Sequence, residues 1–151
     1  MKKQGVARRR AVTLASRKVL SLELAKRIAA VSVAFAQRRR WPIVVAIVDA
    51  GGHLVYFERM DGIATGTVEV AIRKARSAAA FEVPSKNFED QIAAGLTGLV
   101  ALPGLMPFEG AVPIRVEGQV IGAIAVSGVT KEADGSIAQA GADAVARILG
   151  E

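Results

Sequence analysis

Residues 43–62, IVVAIVDAGGHLVYFERMDG, decide the fold class. Ile43 to Val48 is short, mostly β-branched and apolar throughout, the pattern of a strand covered on both faces. His53 to Glu58, HLVYFE, reads as a second strand, and only the four residues Asp49 to Gly52 separate the two. That is too short for the crossover a parallel pair needs. Gly51 or Gly52 can supply the positive φ of a tight turn, so the stretch predicts an antiparallel hairpin.

Outward from the hairpin, the same signals recur. Val112 to Val116 and Gln119 to Ser127 flank Glu117-Gly118, a second hairpin whose longer strand is apolar on both faces and hence central. Before the first hairpin, Leu24, Ile28, Val31 and Phe35 form one apolar helical stripe, with Ser21 as its N-cap. Arg38, Arg39 and Arg40 fit a solvated helix C-terminus, and Pro42 forbids continuation. Thr65 to Phe81 reads as a helix whose alanines permit close approach to a sheet, with Glu69 and Arg73 paired on its outer side. After Pro84 a shorter helix is expected, capped by Ser85 and ended by Gly95. Gly98 to Gly110, with Pro103 and Pro107, reads as an irregular crossing with a short edge strand. Thr130 opens a final helix on the period of Ile137, Ala140, Ala144 and Ile148. Antiparallel strands with helices enough for both faces predict a three-layer α/β/α sandwich.

Composition bounds the function. The chain of 151 residues suits one domain, and with 52% apolar but only 5% aromatic residues its core must be built from Ala, Val, Ile and Leu. Without cysteine there is no disulfide, thiolate metal site or cysteine nucleophile, and one histidine rules out an all-histidine zinc site within one chain. No structural metal is expected. The net charge of +6 is uneven: residues 1–40 carry twelve Lys/Arg against Glu23 alone, whereas residues 41–151 carry eight against thirteen acids. Residues 1–19 are expected to be a basic leader, flexible or partly paired, before a domain spanning 20–151. That leader has no aromatic residue to stack on bases, so nucleic-acid binding is not the expectation. Its apolar run, AVTLAS, falls short of an export signal's core of about 7 to 15 residues. No run reaches the roughly 18 apolar residues of a membrane span. The expected location is cytoplasmic.

Candidate chemistry gathers at the first hairpin. His53 is a candidate axial ligand for a heme or corrinoid metal, since imidazole is a common metal ligand; the alternative is a turn histidine bonded to local backbone. Asp49 is better read as a turn cap than as an acid or base. Arg59, followed by Met60 and Asp61, leaves the second strand where a guanidinium could clamp a carboxylate. Lys74 and Arg76 on the next helix could add charge for an acidic ligand. No phosphate-loop lysine motif, nucleophile elbow or triad spacing is present.

VVAIVDAGGHLVYFERMDG, AIRKARSAA and ALPGLMPFEGAVPIRVEGQVIGAIAVSG, in this order, resemble the GlcG/HbpS-like family, the heme-degrading or PduO C-terminal-like domain, from about Leu20 to Leu149. Asp49, Gly51, Gly52, His53, Arg59, Met60, Asp61 and Lys74 match its recurrent motif, while Ala111 stands where a second glycine is common. The resemblance implies a profilin-like sandwich with a five-stranded antiparallel sheet, assembly into homo-oligomers, and a small-molecule ligand. On that reading the ligand is heme, or less favourably a corrinoid, with His53 toward the iron, Met60 beside it and Arg59 and Lys74 toward the propionates. An alternative is a small enzyme or binder for an organic acid of a catabolic operon, with Arg59 as clamp and His53 or Asp61 as acid/base. A third is a purely structural oligomeric module.

Overall fold

The computed structural model describes residues 11–151, so the first half of the basic leader lies outside the described residues. Residues 11–19 run without helix or strand over the surface, and Leu20 is the first core side chain. Helix α1 (Leu22–Gln37) starts where Ser21 accepts a hydrogen bond from the Leu24 amide at 3.1 Å. It ends before the arginine run: Arg40 is left-handed at φ 57, and the Trp41 amide reaches back to the Ala36 carbonyl. Arg39 stacks its guanidinium 4.0 Å above the Phe35 ring.

Strands β1 (Val44–Asp49) and β2 (Leu54–Arg59) form the expected hairpin. The Asp49 carboxylate accepts from the amides of Gly51 at 2.8 Å and His53 at 3.0 Å, and Gly52 takes φ +82, so Asp49 is the turn cap. Burial pushes this carboxyl up, but those bonds and the adjacent imidazole outweigh it and hold it below the usual aspartate range. Strands β3 (Ala111–Val116) and β4 (Gln119–Ser127) form the second hairpin. Glu117 and Gly118 take φ 49 and 78, as a two-residue type I′ turn requires.

The sheet is antiparallel in the order β2-β1-β4-β3, which puts the two apolar strands at its centre. Among the described residues it has four strands, which corrects the expected five. The segment expected to give the extra edge strand instead forms a 3-10 turn (Thr97–Ala101) and bends to Gly110. Pro103 and Pro107 lack the amides that a ladder uses, and Gly104 has φ +76.

Helix α2 (Gly66–Phe81) covers one face of the sheet, and α1 with α4 (Lys131–Asp143) and α5 (Val145–Leu149) covers the other. The layers are thus helix, sheet, helix. Alternation along β1 and β4 sorts the residues: Val45, Ile47, Ile124 and Val126 face α1 and α4, while Val44, Ala46, Ala123 and Ala125 face α2. The final helix is broken at Ala144, although Thr130 caps it as expected, accepting from the Ala133 amide. Ser85 is not a cap: Pro84 precedes α3 (Ser85–Ala93), and the buried Ser85 hydroxyl bridges both the amide and the carbonyl of Ala111. It ties α3 to the start of β3. Among the described residues no helix is long and apolar enough to cross a membrane.

Candidate functional site

His53 and Arg59 do not converge. They sit at opposite ends of β2, which at about 3.3 Å per residue sets them roughly 20 Å apart. Arg59 pairs with Val44 at the start of β1, whereas His53 lies beside Asp49 at its end. Asp61 follows Arg59 on the exposed far side. Met60 is half-buried and packs against the core beside α1, so it does not face His53. An extended strand cannot fold its two ends into one pocket, and the expected imidazole–guanidinium–carboxylate cluster is corrected accordingly.

The cation that shares a cleft with His53 is Arg76. Its Nε donates to the Gly52 carbonyl at 3.2 Å, joining α2 to the hairpin. Gly51, Gly52, His53, Arg76, Ala80 and Gly104 line an open cleft of about 400 Å³. The His53 side chain is 83% exposed, with Nδ1 3.3 Å from Asp49 Oδ1. That contact orients the ring and leaves Nε2 free to bind. A Cβ at Gly51 would lie 3.0 Å from the imidazole, so a side chain there would push the ring from this position.

Lys74, expected to be free for a ligand's carboxylates, is buried on the sheet side of α2, its side chain 2% exposed. Its Nζ donates to the Glu109 carbonyl at 3.0 Å and to Asp134 Oδ2 at 3.4 Å. Asp134, from the first turn of α4, also accepts from the Val129 amide at 3.1 Å. Burial pulls Lys74 down from the ordinary lysine value, although Asp134 opposes it. The same burial raises Asp134, although Lys74 and the Val129 amide oppose that. Glu109 is raised too, first by burial. Around this pair Glu89 binds the Glu109 amide and Lys131, each through one oxygen.

Asp134 escaped the sequence reading, yet it left a signal. It lies on the same helical face as the buried Ile137, Ala138 and Gly141, just as Lys74 lies with Ala71, Ala75 and Ala78. A charge inside an apolar stripe calls for a buried partner.

A family model described as "Haem degrading protein HbpS-like" matches residues 20–143. Protein GlcG of Escherichia coli strain K12 is 38% identical over 109 residues, covering 72% of this chain and 81% of that protein. The crystal structure of HbpS superposes with a TM-score of 0.80 at 30% identity, over 97% of this chain and all of that one (100%). The crystal structure of a PduOC:heme complex gives 0.75 at 28% identity, over 84% of this chain and 95% of that one.

Proposed function

This chain belongs to the HbpS-like family, and from that premise we propose that it binds heme or a related tetrapyrrole at the His53 cleft. One observation carries the reading: an exposed imidazole oriented by Asp49 shares an open cleft with the Arg76 guanidinium. An imidazole nitrogen is a fit donor for heme iron, and a guanidinium is a fit partner for a propionate. The likeness to a heme-bound relative supports the choice of ligand. Arg59, Met60 and Lys74 have no part in this cleft.

Titrating the protein with hemin tests it. His53→Ala is expected to shift the Soret band and weaken binding by about tenfold or more, some 1.4 kcal/mol. Arg76→Ala is expected to weaken binding without altering the axial-ligand spectrum, and Arg59→Ala to change neither. Parent-like binding by both the His53 and the Arg76 variants, with circular dichroism unchanged, would remove the cleft from consideration.

Self-association in the cytoplasm, through a domain spanning residues 20–151, completes the reading. Leu96, Val100 and Leu102 are exposed along the segment after α3, the kind of apolar surface that copies of a chain cover in an assembly. Sedimentation at micromolar concentration should give a dimer or larger species; a monomer would rule out this part.

A further inference from the structure

The Lys74–Asp134 pair lies at the base of a second cleft, of about 310 Å³, whose walls include Val70, Phe108, Gly128 and Val129. The His53 cleft shares none of these residues. Protonated, Lys74 has three N–H groups, and among the described residues two acceptors meet them, the Glu109 carbonyl and Asp134. Glycine lets the backbone approach the amine closely: at Gly110, φ is +129 and a Cβ would collide with Lys74 Nζ. A buried ion pair gives little net stability over apolar packing, so stability alone is a poor reason for one here. A cleft with apolar wall residues at Val70, Phe108 and Val129, lined also by a buried amine and a carboxylate, is the arrangement of a reactive lysine site.

We propose that Lys74 is a nucleophile that forms an imine with a small uncharged aldehyde or ketone held in this cleft, with Asp134 carrying the proton. The charge around the pair selects the ligand class. Asp134, Glu109 and Glu89 all act on Lys74, and Lys131, the other cation lining the cleft, is already bound to Glu89, so among the described residues an anionic ligand finds no unpaired cation there. The apolar walls suit a short hydrocarbon chain.

The step balances without a further reagent. The Lys74 ammonium passes a proton to Asp134, and the free amine attacks the carbonyl carbon. As the carbon–nitrogen bond forms, a proton passes from the attacking nitrogen to the carbonyl oxygen, which becomes a hydroxyl. Asp134 returns its proton to that hydroxyl, the carbon–oxygen bond breaks, and water leaves. The protonated imine on Lys74 carries the one positive charge that the ammonium began with. Burial favours the uncharged amine this step needs.

Butanal with sodium cyanoborohydride at neutral pH, followed by peptide mapping of the unmodified full chain, is the test. Hydride fixes an imine as a butylated lysine. Lys74 should be alkylated about tenfold faster than exposed lysines such as Lys18 and Lys86, because burial and the cleft favour its free amine. Pyruvate under the same conditions should label Lys74 far more slowly. Labelling that follows exposure and leaves Lys74 intact would overturn the proposal, as would pyruvate outpacing butanal. Neither readout depends on a variant folding, and both are independent of hemin binding at His53.

Discussion

Asp134→Ala is expected to destabilise the protein by about 3–5 kcal/mol, the largest effect of any single polar change, because it leaves Lys74 charged and buried without its partner. With roughly 2–4 °C per kcal/mol for a chain of this size, the thermal midpoint should fall by about 10 °C or more. Replacing both residues, as Lys74→Met with Asp134→Leu, should recover most of the loss, since an apolar pair of similar volume needs no counter-charge. The two side chains are 2% and 7% exposed, so solvent screening does not soften the comparison. The deficit of Asp134→Ala should also depend on pH. Burial lowers the folded-state value of Lys74 from an ordinary 10.5, and removing the opposing carboxylate lowers it further. Between that depressed value and 10.5 the unfolded chain holds a proton the folded chain has lost, so stability rises with pH there. As pH falls through the folded-state value the penalty reaches its full size and then stays constant. Urea unfolding of the parent, the single variant and the double variant at neutral and alkaline pH checks every part. A single variant within about 1 kcal/mol of the parent would mean that Lys74 is not held as a buried cation.

The fold was more legible than the site, for a physical reason visible in particular residues. Apolar runs such as Ile43 to Val48 and the glycines at 52 and 118 act locally, so hairpins, central strands and the caps Ser21 and Thr130 can be read along the chain. Where tertiary contact competes with local preference, the local signal is overridden. Ser85 looks like a cap, but its hydroxyl is taken by Ala111, 26 residues away. The crossing before β3 has apolar residues enough for a strand, yet its prolines deny it a ladder. The site depends on contacts of long sequence separation. His53, Arg59 and Asp61 are near neighbours in sequence, yet the extended strand sets the histidine and the arginine at opposite ends. The partners that matter are Arg76, 24 residues from Gly52, and Asp134, 60 residues from Lys74.

The two faces of the sheet should tolerate opposite errors. Ile124, in the middle of β4, is fully buried and pairs across the sheet with Ile47 and Val112. It belongs to the core beneath α1 and α4 that includes Ile28 and Ile137. A methyl group at Gly141 would lie 3.0 Å from its Cδ1 and collide with Ser32, so α4 already sits as near α1 and the sheet as those side chains allow. Ile124→Ala should therefore leave a cavity that the helices cannot close, costing about 2–5 kcal/mol. The next residue faces the other way. Ala46, Ala125 and Ala111 form a row of alanines across three strands, under Ala71, Ala75 and Ala78 of α2. There the small side chains bring helix and sheet close, and the added volume of Ala125→Ile must push α2 outward or strain the rotamer, at about 1–3 kcal/mol. Because α2 carries Arg76, displacing it should also weaken hemin binding at the His53 cleft, whereas the cavity at Ile124, on the opposite face, should leave binding near the parent value. Urea midpoints and hemin titrations of the two variants separate these effects. Equal loss of hemin affinity in both would show that the cleft responds to general loosening of the core and not to the position of α2.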